Sequence, residues 1–118
     1  MEKLLAGNYP QIAAVGMAAA EGRNPRMVDI RWNAPASDSI ENVPEIVIIG
    51  KGITFDTGGL NIKGGGGMRN MKRDMAGAAQ AISLALRINE MKLPVKLRLL
   101  LPIAENSISG VALRPGAY

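Results

Sequence analysis

The chain has 118 residues, of which 47% are hydrophobic and 20% charged, a composition typical of one small globular domain. It contains no cysteine and no histidine, which excludes disulfides, thiolate nucleophiles and histidine-dependent catalysis within these residues. A metal site would therefore have to use oxygen ligands or a neutral lysine amine. Such donors suit Mn²⁺, Mg²⁺ or Zn²⁺.

The net charge of +4 comes from basic residues that are scattered singly along the chain. The densest cluster, Lys72 and Arg73, has no neighbouring aromatic residue on which a base could stack, so we expect no nucleic-acid partner. No basic stretch at the start precedes a long apolar run, and no apolar run approaches the ~20 residues that span a bilayer. We therefore expect no membrane partner and a cytoplasmic location.

The first half of the chain predicts one helix and two strands. Pro10 suits a first helical turn, which predicts a short helix over residues 10–20. A strand over residues 27–32 and a polar loop over residues 33–42 follow. The next run, residues 45–49, has four successive β-branched residues and ends at Gly50, which predicts a strand buried on both faces.

The second half predicts a loop, a long helix and another strand. Glycines dominate from Gly52 through the tract at residues 64–67, which indicates a loop of high backbone freedom. Apolar residues at steps of three and four predict a helix over residues 68–91, and residues 95–104 form a second apolar run typical of a buried strand.

Strand, helix and strand in this order predict a parallel crossover and the α/β class. Strands that are apolar on both faces need helices on both sides, and this chain offers about one helix for each strand. We therefore expect the sheet to belong to a larger domain or to pack against another chain.

Four charged residues lie where ligands bind in α/β proteins. Lys51 follows a predicted strand, where ligand crevices of open sheets lie, Asp56 and Lys63 lie in the glycine-rich loop, and Asp74 lies near the start of the long helix. Structural roles are the alternatives: Asp74 as a residue that caps or flanks the helix N-terminus, Asp56 as a turn residue and the lysines as solvated side chains. The spacing alone favours these structural roles.

The sequence of this segment is more specific than its spacing. Residues 50–59, GKGITFDTGG, closely resemble the signature of the cytosolic leucine aminopeptidase family, and Lys63 and the run MKRDMAGAA at residues 71–79 continue the match at the family's own intervals. Residues 104–106 and 114–116 resemble its next strand and loop. The resemblance implies that residues 1–118 are the N-terminal part of a three-layer α/β/α catalytic domain with a mixed, largely parallel sheet.

The resemblance also implies roles for individual residues. Lys51, Asp56 and Asp74 match ligands of a pair of divalent metal ions, with Asp56 shared between the two ions. Lys63 matches an active-site lysine that binds the substrate and stabilises the oxyanion during catalysis. Met71 matches a residue that lines the pocket for the N-terminal side chain, although a core methionine is an equally good interpretation.

The cofactors and partners that the resemblance implies are two divalent metal ions (Mn²⁺, Zn²⁺ or Mg²⁺), a bicarbonate base, peptide substrates with leucine-like N-terminal residues, and assembly into a hexamer. The family's NTDAEGR motif, which supplies further carboxylates and the arginine that positions bicarbonate, is expected after Gly116 but does not occur before Tyr118. The family's separate N-terminal domain is also missing.

We therefore expect a truncated catalytic domain with weak or single-metal binding and little or no turnover of its own. Milder departures from the family pattern are Thr57 in place of serine, Ala76 in place of glycine, and the glycine tract at residues 64–67. The alternative is a non-catalytic remnant that only folds or pairs with another subunit.

Overall fold

The computed structural model describes residues 2–33 and 42–116. The helices and strands, in chain order, are α1 (Glu2–Ala6), α2 (Pro10–Val15), β1 (Arg26–Trp32), β2 (Glu45–Ile49), β3 (Gly52–Asp56), α3 (Gly65–Met68), a 3₁₀ helix (Met71–Arg73), α4 (Ala76–Glu90) and β4 (Lys96–Asn106). The predicted polar loop at residues 33–42 lies, for residues 34–41, outside the described part of the chain.

Strand β4 is the centre of the sheet that the described residues form. It pairs antiparallel with β1 along one edge. Along the other edge it pairs in parallel first with β2 and then with β3. The predicted α/β class with a mixed, largely parallel sheet is confirmed. Because β2 and β3 run in the same direction as β4, the carboxyl ends of all three strands point the same way.

The core lies between helix α4 and strand β4. Small residues at helical spacing on α4 face large residues at alternate positions of β4, and the buried members are Ala78, Ala81, Ala85, Leu97, Leu99 and Leu101. Each fully buried leucine contributes roughly 1.5–3 kcal/mol of hydrophobic free energy. The alanines let the helix approach the sheet closely, which brings the start of α4 near the end of β2.

Two predictions about β2 and α4 are wrong in detail. Strand β2 is not buried on both faces, since Val47 is 46% exposed and Ile49 68% exposed. Among the described residues, α4 packs against one face of this edge strand, and Val47 and Ile49 on the other face are about half exposed or more. The long helix begins at Ala76 rather than at residue 68, because Asn70 and Met75 adopt φ near −93° and −99° with ψ near 1°, outside the helical range.

Two further differences concern shorter elements. Residues 52–56 form strand β3 in place of the predicted loop, so Asp56 is the last residue of a strand. Helix α2 ends at Val15 rather than at residue 20, and Gly16 is its C-terminal cap. A Cβ at Gly16 would lie 2.6 Å from Pro25 Cβ, so the chain turns here in close contact with the segment that precedes β1.

Among the described helices, none combines the length and the apolar character that a membrane crossing requires.

Candidate metal and catalytic site

Glycines at the end of β2 bring Lys51 close to helix α4. A Cβ at Gly50 would lie 2.7 Å from Ala78 Cα and 2.8 Å from the Gly77 carbonyl oxygen, distances that leave no room for a side chain. The Ala78 N–H donates a hydrogen bond to the Lys51 carbonyl oxygen over 2.9 Å. The first turn of α4 is therefore fixed directly against the end of the strand.

This close approach brings Lys51 and Asp74 together. Lys51 Nζ forms an ion pair with Asp74 Oδ2, an oxygen that is buried and that accepts no regular hydrogen bond in the described part of the chain. Asp74 ends the 3₁₀ helix, and α4 has Met75 as its N-cap without any side-chain cap. Asp74 therefore does not cap the long helix but flanks its start, which is the other form of that structural alternative.

Asp56 lies at the end of β3 in a set of neutral donors. Its Oδ1 accepts hydrogen bonds from the Gly58 N–H over 3.0 Å and from Asn106 Nδ2 over 2.7 Å, and Lys63 Nζ lies 3.4 Å from its Oδ2. Burial opposes the charge of this carboxylate, but the hydrogen bonds from Gly58, Asn106 and Lys63 outweigh that opposition and lower the pKa of Asp56 below its usual value.

A tight turn after β3 brings Lys63 back to Asp56. The Lys63 N–H donates to the Thr57 carbonyl oxygen over 2.9 Å. Gly58 has φ of +88°, and a Cβ there would lie 2.4 Å from the Asn61 carbonyl oxygen, so glycine is required at this position. The Lys63 side chain is 35% exposed and can be reached from solvent.

The structure thus unites the predicted residues in two pairs, Lys51 with Asp74 and Lys63 with Asp56, at the carboxyl ends of β2 and β3. Met71 is half-buried and begins the 3₁₀ helix, which packs against β3. Asn106, at the end of β4, was not assigned a role in the sequence analysis. The sequence signal was its place in residues 104–106, which resemble the family's next strand and loop but indicated no role for the side chain.

Lys51, Asp56 and Asp74 carry the kinds of donor atom that suit a divalent metal ion, but they are too few to complete two metal sites. Lys51 and Asp74 contact each other beyond the end of β2, Asp56 ends β3, and Asp74 Oδ2 is a buried oxygen whose one partner among the described residues is a lysine. Over residues 2–33 and 42–116, no three acidic, histidine or cysteine side chains come together as a cluster. Lys51, Asp56 and Asp74 therefore fit part of a metal site, with fewer donors than two four-coordinate ions need.

Known proteins resemble the chain along nearly all of its length. Residues 1–117 match the model described as the cytosol aminopeptidase family, catalytic domain. A relative from Rhodococcus opacus (strain B4), named "Probable cytosol aminopeptidase", is 41% identical over 116 residues, which make up 98% of this chain and 22% of that protein.

Solved structures share the fold as well as the sequence. The crystal structure of the cytosol aminopeptidase from Coxiella burnetii is 43% identical with a TM-score of 0.80, over 98% of this chain and 23% of the other. The bottromycin maturation enzyme BotP in complex with Mn is 38% identical with a TM-score of 0.70, over 87% of this chain and 21% of the other. The chain spans about a fifth of the length of the curated relatives that it matches. By sequence and by fold, it belongs to the cytosol aminopeptidase family and matches that family's catalytic domain.

Proposed function

We propose that these 118 residues form the N-terminal part of the catalytic domain of a two-metal aminopeptidase, which hydrolyses leucine-like N-terminal residues from peptides. The observation that carries the proposal is the presence of two lysine–aspartate pairs, Lys51 with Asp74 and Lys63 with Asp56, along the edge of β4 where β2 and then β3 pair with it in parallel. Asp56 ends β3 beside the last residue of β4, and the carboxyl ends of parallel strands are where open α/β sheets bind their ligands.

Lys51, Asp56 and Asp74 are the residues that would hold divalent metal ions. The chemistry that such ions supply is Lewis-acid activation of the attacking water and of the scissile carbonyl. In the structure the Lys51 amine is engaged by the Asp74 carboxylate, and an ammonium group has no lone pair to donate. Lys51 must therefore lose a proton from Nζ before it binds metal, so metal binding should release protons.

Lys63 is the residue that we assign to the oxyanion of the tetrahedral intermediate. Its Nζ lies 3.4 Å from Asp56 Oδ2, a loose contact from which the ammonium group can turn toward substrate without leaving the site. A preorganised positive charge at this point stabilises negative charge that develops on the scissile carbonyl oxygen. The half-buried Met71, on the 3₁₀ helix against β3, would contact the N-terminal side chain of the peptide.

Several finer features belong to the same proposal. Mn²⁺ is a suitable ion, which the manganese complex of BotP supports, while Zn²⁺ and Mg²⁺ remain alternatives. The remaining metal ligands, a bicarbonate base and contacts of a cytoplasmic hexamer would have to come from groups outside the residues named above. For the 118-residue chain alone we expect weak Mn²⁺ binding and little or no turnover, because three donors do not complete two metal sites.

The test is to replace the matching segment of the Coxiella burnetii enzyme with these 118 residues. Hydrolysis of leucine p-nitroanilide by the resulting enzyme is then measured with Mn²⁺. We expect turnover, and we expect Lys63→Ala to lower kcat by about 10²–10³-fold, as for loss of an oxyanion donor. The matched control is Lys72→Ala, since Lys72 is exposed and its Nζ contacts the Gly116 carbonyl oxygen. Equal activities of the two variants would refute the role of Lys63.

A second candidate function is a non-catalytic module that pairs with another subunit. The exposed apolar residues of β2, such as Val47 and Ile49, favour this alternative because uncovered apolar surface promotes association. A segment-exchanged enzyme that folds, as judged by cooperative thermal unfolding, but has no turnover even with Mn²⁺ would favour the module over the catalytic domain.

A further inference from the structure

Asn106 makes two kinds of contact at the turn that follows β3. Its side-chain Nδ2 donates to Asp56 Oδ1 over 2.7 Å. Its backbone carbonyl oxygen accepts from the Thr57 N–H over 2.9 Å and from the Thr57 hydroxyl over 3.0 Å. Since the backbone supports the turn and the side chain contacts the carboxylate, the two contributions can be separated by substitution.

The two oxygens of Asp56 differ in how they are engaged. Oδ1 accepts from both Gly58 N–H and Asn106 Nδ2, and two donors occupy the lone pairs of one carboxylate oxygen. Oδ2 faces Lys63 Nζ at 3.4 Å, which is longer than the roughly 2.7–2.9 Å of a well-formed charge-assisted hydrogen bond. One oxygen is fixed, and the other keeps capacity for a cation.

The donors on Oδ1 are neutral. An amide and a backbone N–H hold the carboxylate without adding a full positive charge that would repel an incoming metal ion. The contact also spans 50 positions of the chain, so it joins the ends of β3 and β4. Asn106 therefore has the chemistry and the placement to orient Asp56 without being a ligand itself.

We propose that Asn106 is a positioning residue, which holds Oδ1 of Asp56 so that Oδ2 is the oxygen offered to a divalent metal ion. This inference rests on the proposed function, because it concerns the same metal site. Outer hydrogen-bond partners of metal ligands typically change metal affinity by about 10–100-fold when they are removed. We expect Asn106→Ala to weaken Mn²⁺ binding within that range.

The first experiment measures Mn²⁺ affinity of the 118-residue chain from the free-Mn²⁺ signal in electron paramagnetic resonance. The control is Thr57→Val, which removes a hydroxyl that bonds to the Asn106 carbonyl oxygen and to the Gly59 N–H but leaves the Asp56 carboxylate untouched. Its affinity should stay close to wild type. Equal losses in the two variants would overturn the inference, because Asn106 would then act only through the turn.

A double-mutant cycle adds a readout that a purely structural role would not produce. In an Asp56→Ala background, Asn106→Ala should cause no further loss of Mn²⁺ affinity, because its effect passes through Asp56. A further loss of similar size in that background would overturn the inference.

A metal-free measurement separates this inference from the proposed function. Urea unfolding is measured for wild type, Asn106→Ala, Asp56→Ala and the double variant. The coupling between Asn106 and Asp56 should amount to roughly fivefold in the unfolding equilibrium constant. If wild type binds no Mn²⁺, the proposed metal function fails, and a coupling of this size would still support Asn106 as the residue that orients Asp56. Additive effects on unfolding would overturn the inference whatever the Mn²⁺ result.

Discussion

Two carboxylates of the sheet, Asp29 on β1 and Asp56 on β3, have different surroundings. Arg98 holds both oxygens of Asp29, with Nε 3.0 Å from Oδ1 and Nη2 2.9 Å from Oδ2, and Arg31 adds a contact of 3.3 Å to Oδ2. Asp56 has neutral donors on one oxygen and a single lysine at 3.4 Å from the other. The first carboxylate is satisfied on both oxygens, and the second is satisfied on one.

The difference separates an ion-paired carboxylate from the carboxylate that we propose as a metal ligand. A bidentate arginine pair is a strong, closed arrangement, and it lowers the pKa of Asp29 to about 2, mainly through the hydrogen bond from Arg98 and then the one from Arg31. The pKa of Asp56 is lowered as well. A low carboxylate pKa is therefore common to both groups, and they differ in how many of their oxygens are engaged by close donors.

The largest expected effect comes from removing the charge at each carboxylate in turn. Asp56→Asn should weaken Mn²⁺ binding by ~100-fold or more, since loss of a direct donor should reach at least the upper end of the range seen for outer partners. Asp29→Asn should leave Mn²⁺ affinity unchanged. Isothermal titration with Mn²⁺ measures both variants, and similar affinities for the two would contradict the distinction between the two carboxylates.

The next largest effect concerns the close contact between Gly50 and helix α4, in the region of Asp74. Gly50→Ala should destabilise the chain by about 2 kcal/mol, because the added Cβ would meet backbone atoms of α4, Ala78 Cα at 2.7 Å and Gly77 O at 2.8 Å, that cannot yield cheaply. Urea unfolding measures the loss. Mn²⁺ affinity should fall too, since the shift separates Lys51 from Asp74, and a variant with unchanged stability would refute the tight contact.

The satisfied carboxylate predicts a pH dependence with a definite sign. The pKa of Asp29 falls from 3.8 to about 2 on folding, so its ion pairs stabilise the folded chain above pH 3.8, and this stabilisation is lost as the pH falls toward 2. The difference in unfolding free energy between wild type and Asp29→Asn should therefore shrink over that interval. Urea unfolding at a series of pH values measures it.

Salt provides the control for this prediction. Asp29 and Arg98 are about one-third exposed, and exposed pairs are weakened by screening. The difference between wild type and Asp29→Asn at neutral pH should decrease in high salt. A difference that is independent of both pH and salt would mean that Asp29 acts through packing rather than through charge.

Much of the fold and most residues of the candidate site could be predicted from the sequence. The β-branched run of β2 and the alternating leucines of β4 have strand periodicity, and the spacing of Ala78, Ala81 and Ala85 is helical, so local patterns sufficed for these elements. The start of α4 was predicted wrongly because the apolar spacing continues through residues 68–75, whereas the backbone leaves the helical range at Asn70 and Met75. The exposure of Val47 depends on which elements cover the sheet, which no local pattern encodes.

Contacts between distant segments also limited what the sequence could predict about the candidate site. Lys51, Asp56, Lys63 and Asp74 were found through the specific run of residues that surrounds them. Asn106 was not, because its side chain meets Asp56 only after β3 pairs with β4. The predicted strand ended at residue 104, two residues before Asn106, so neither its place in β4 nor its partner was predicted.

The smallest effect concerns the glycine tract that follows Lys63, and it completes the comparison with Gly50. A Cβ at Gly66 would meet no atom within 4 Å, and its φ is not positive, so neither packing nor backbone conformation requires glycine there. Gly66→Ala should stabilise the chain by ~0.5 kcal/mol, because alanine loses less backbone entropy when α3 forms. Urea unfolding beside Gly50→Ala gives the matched pair, with opposite signs expected. Destabilisation by Gly66→Ala would contradict the open surroundings of α3 and would indicate that the loop after Lys63 packs against a surface that the described residues do not supply.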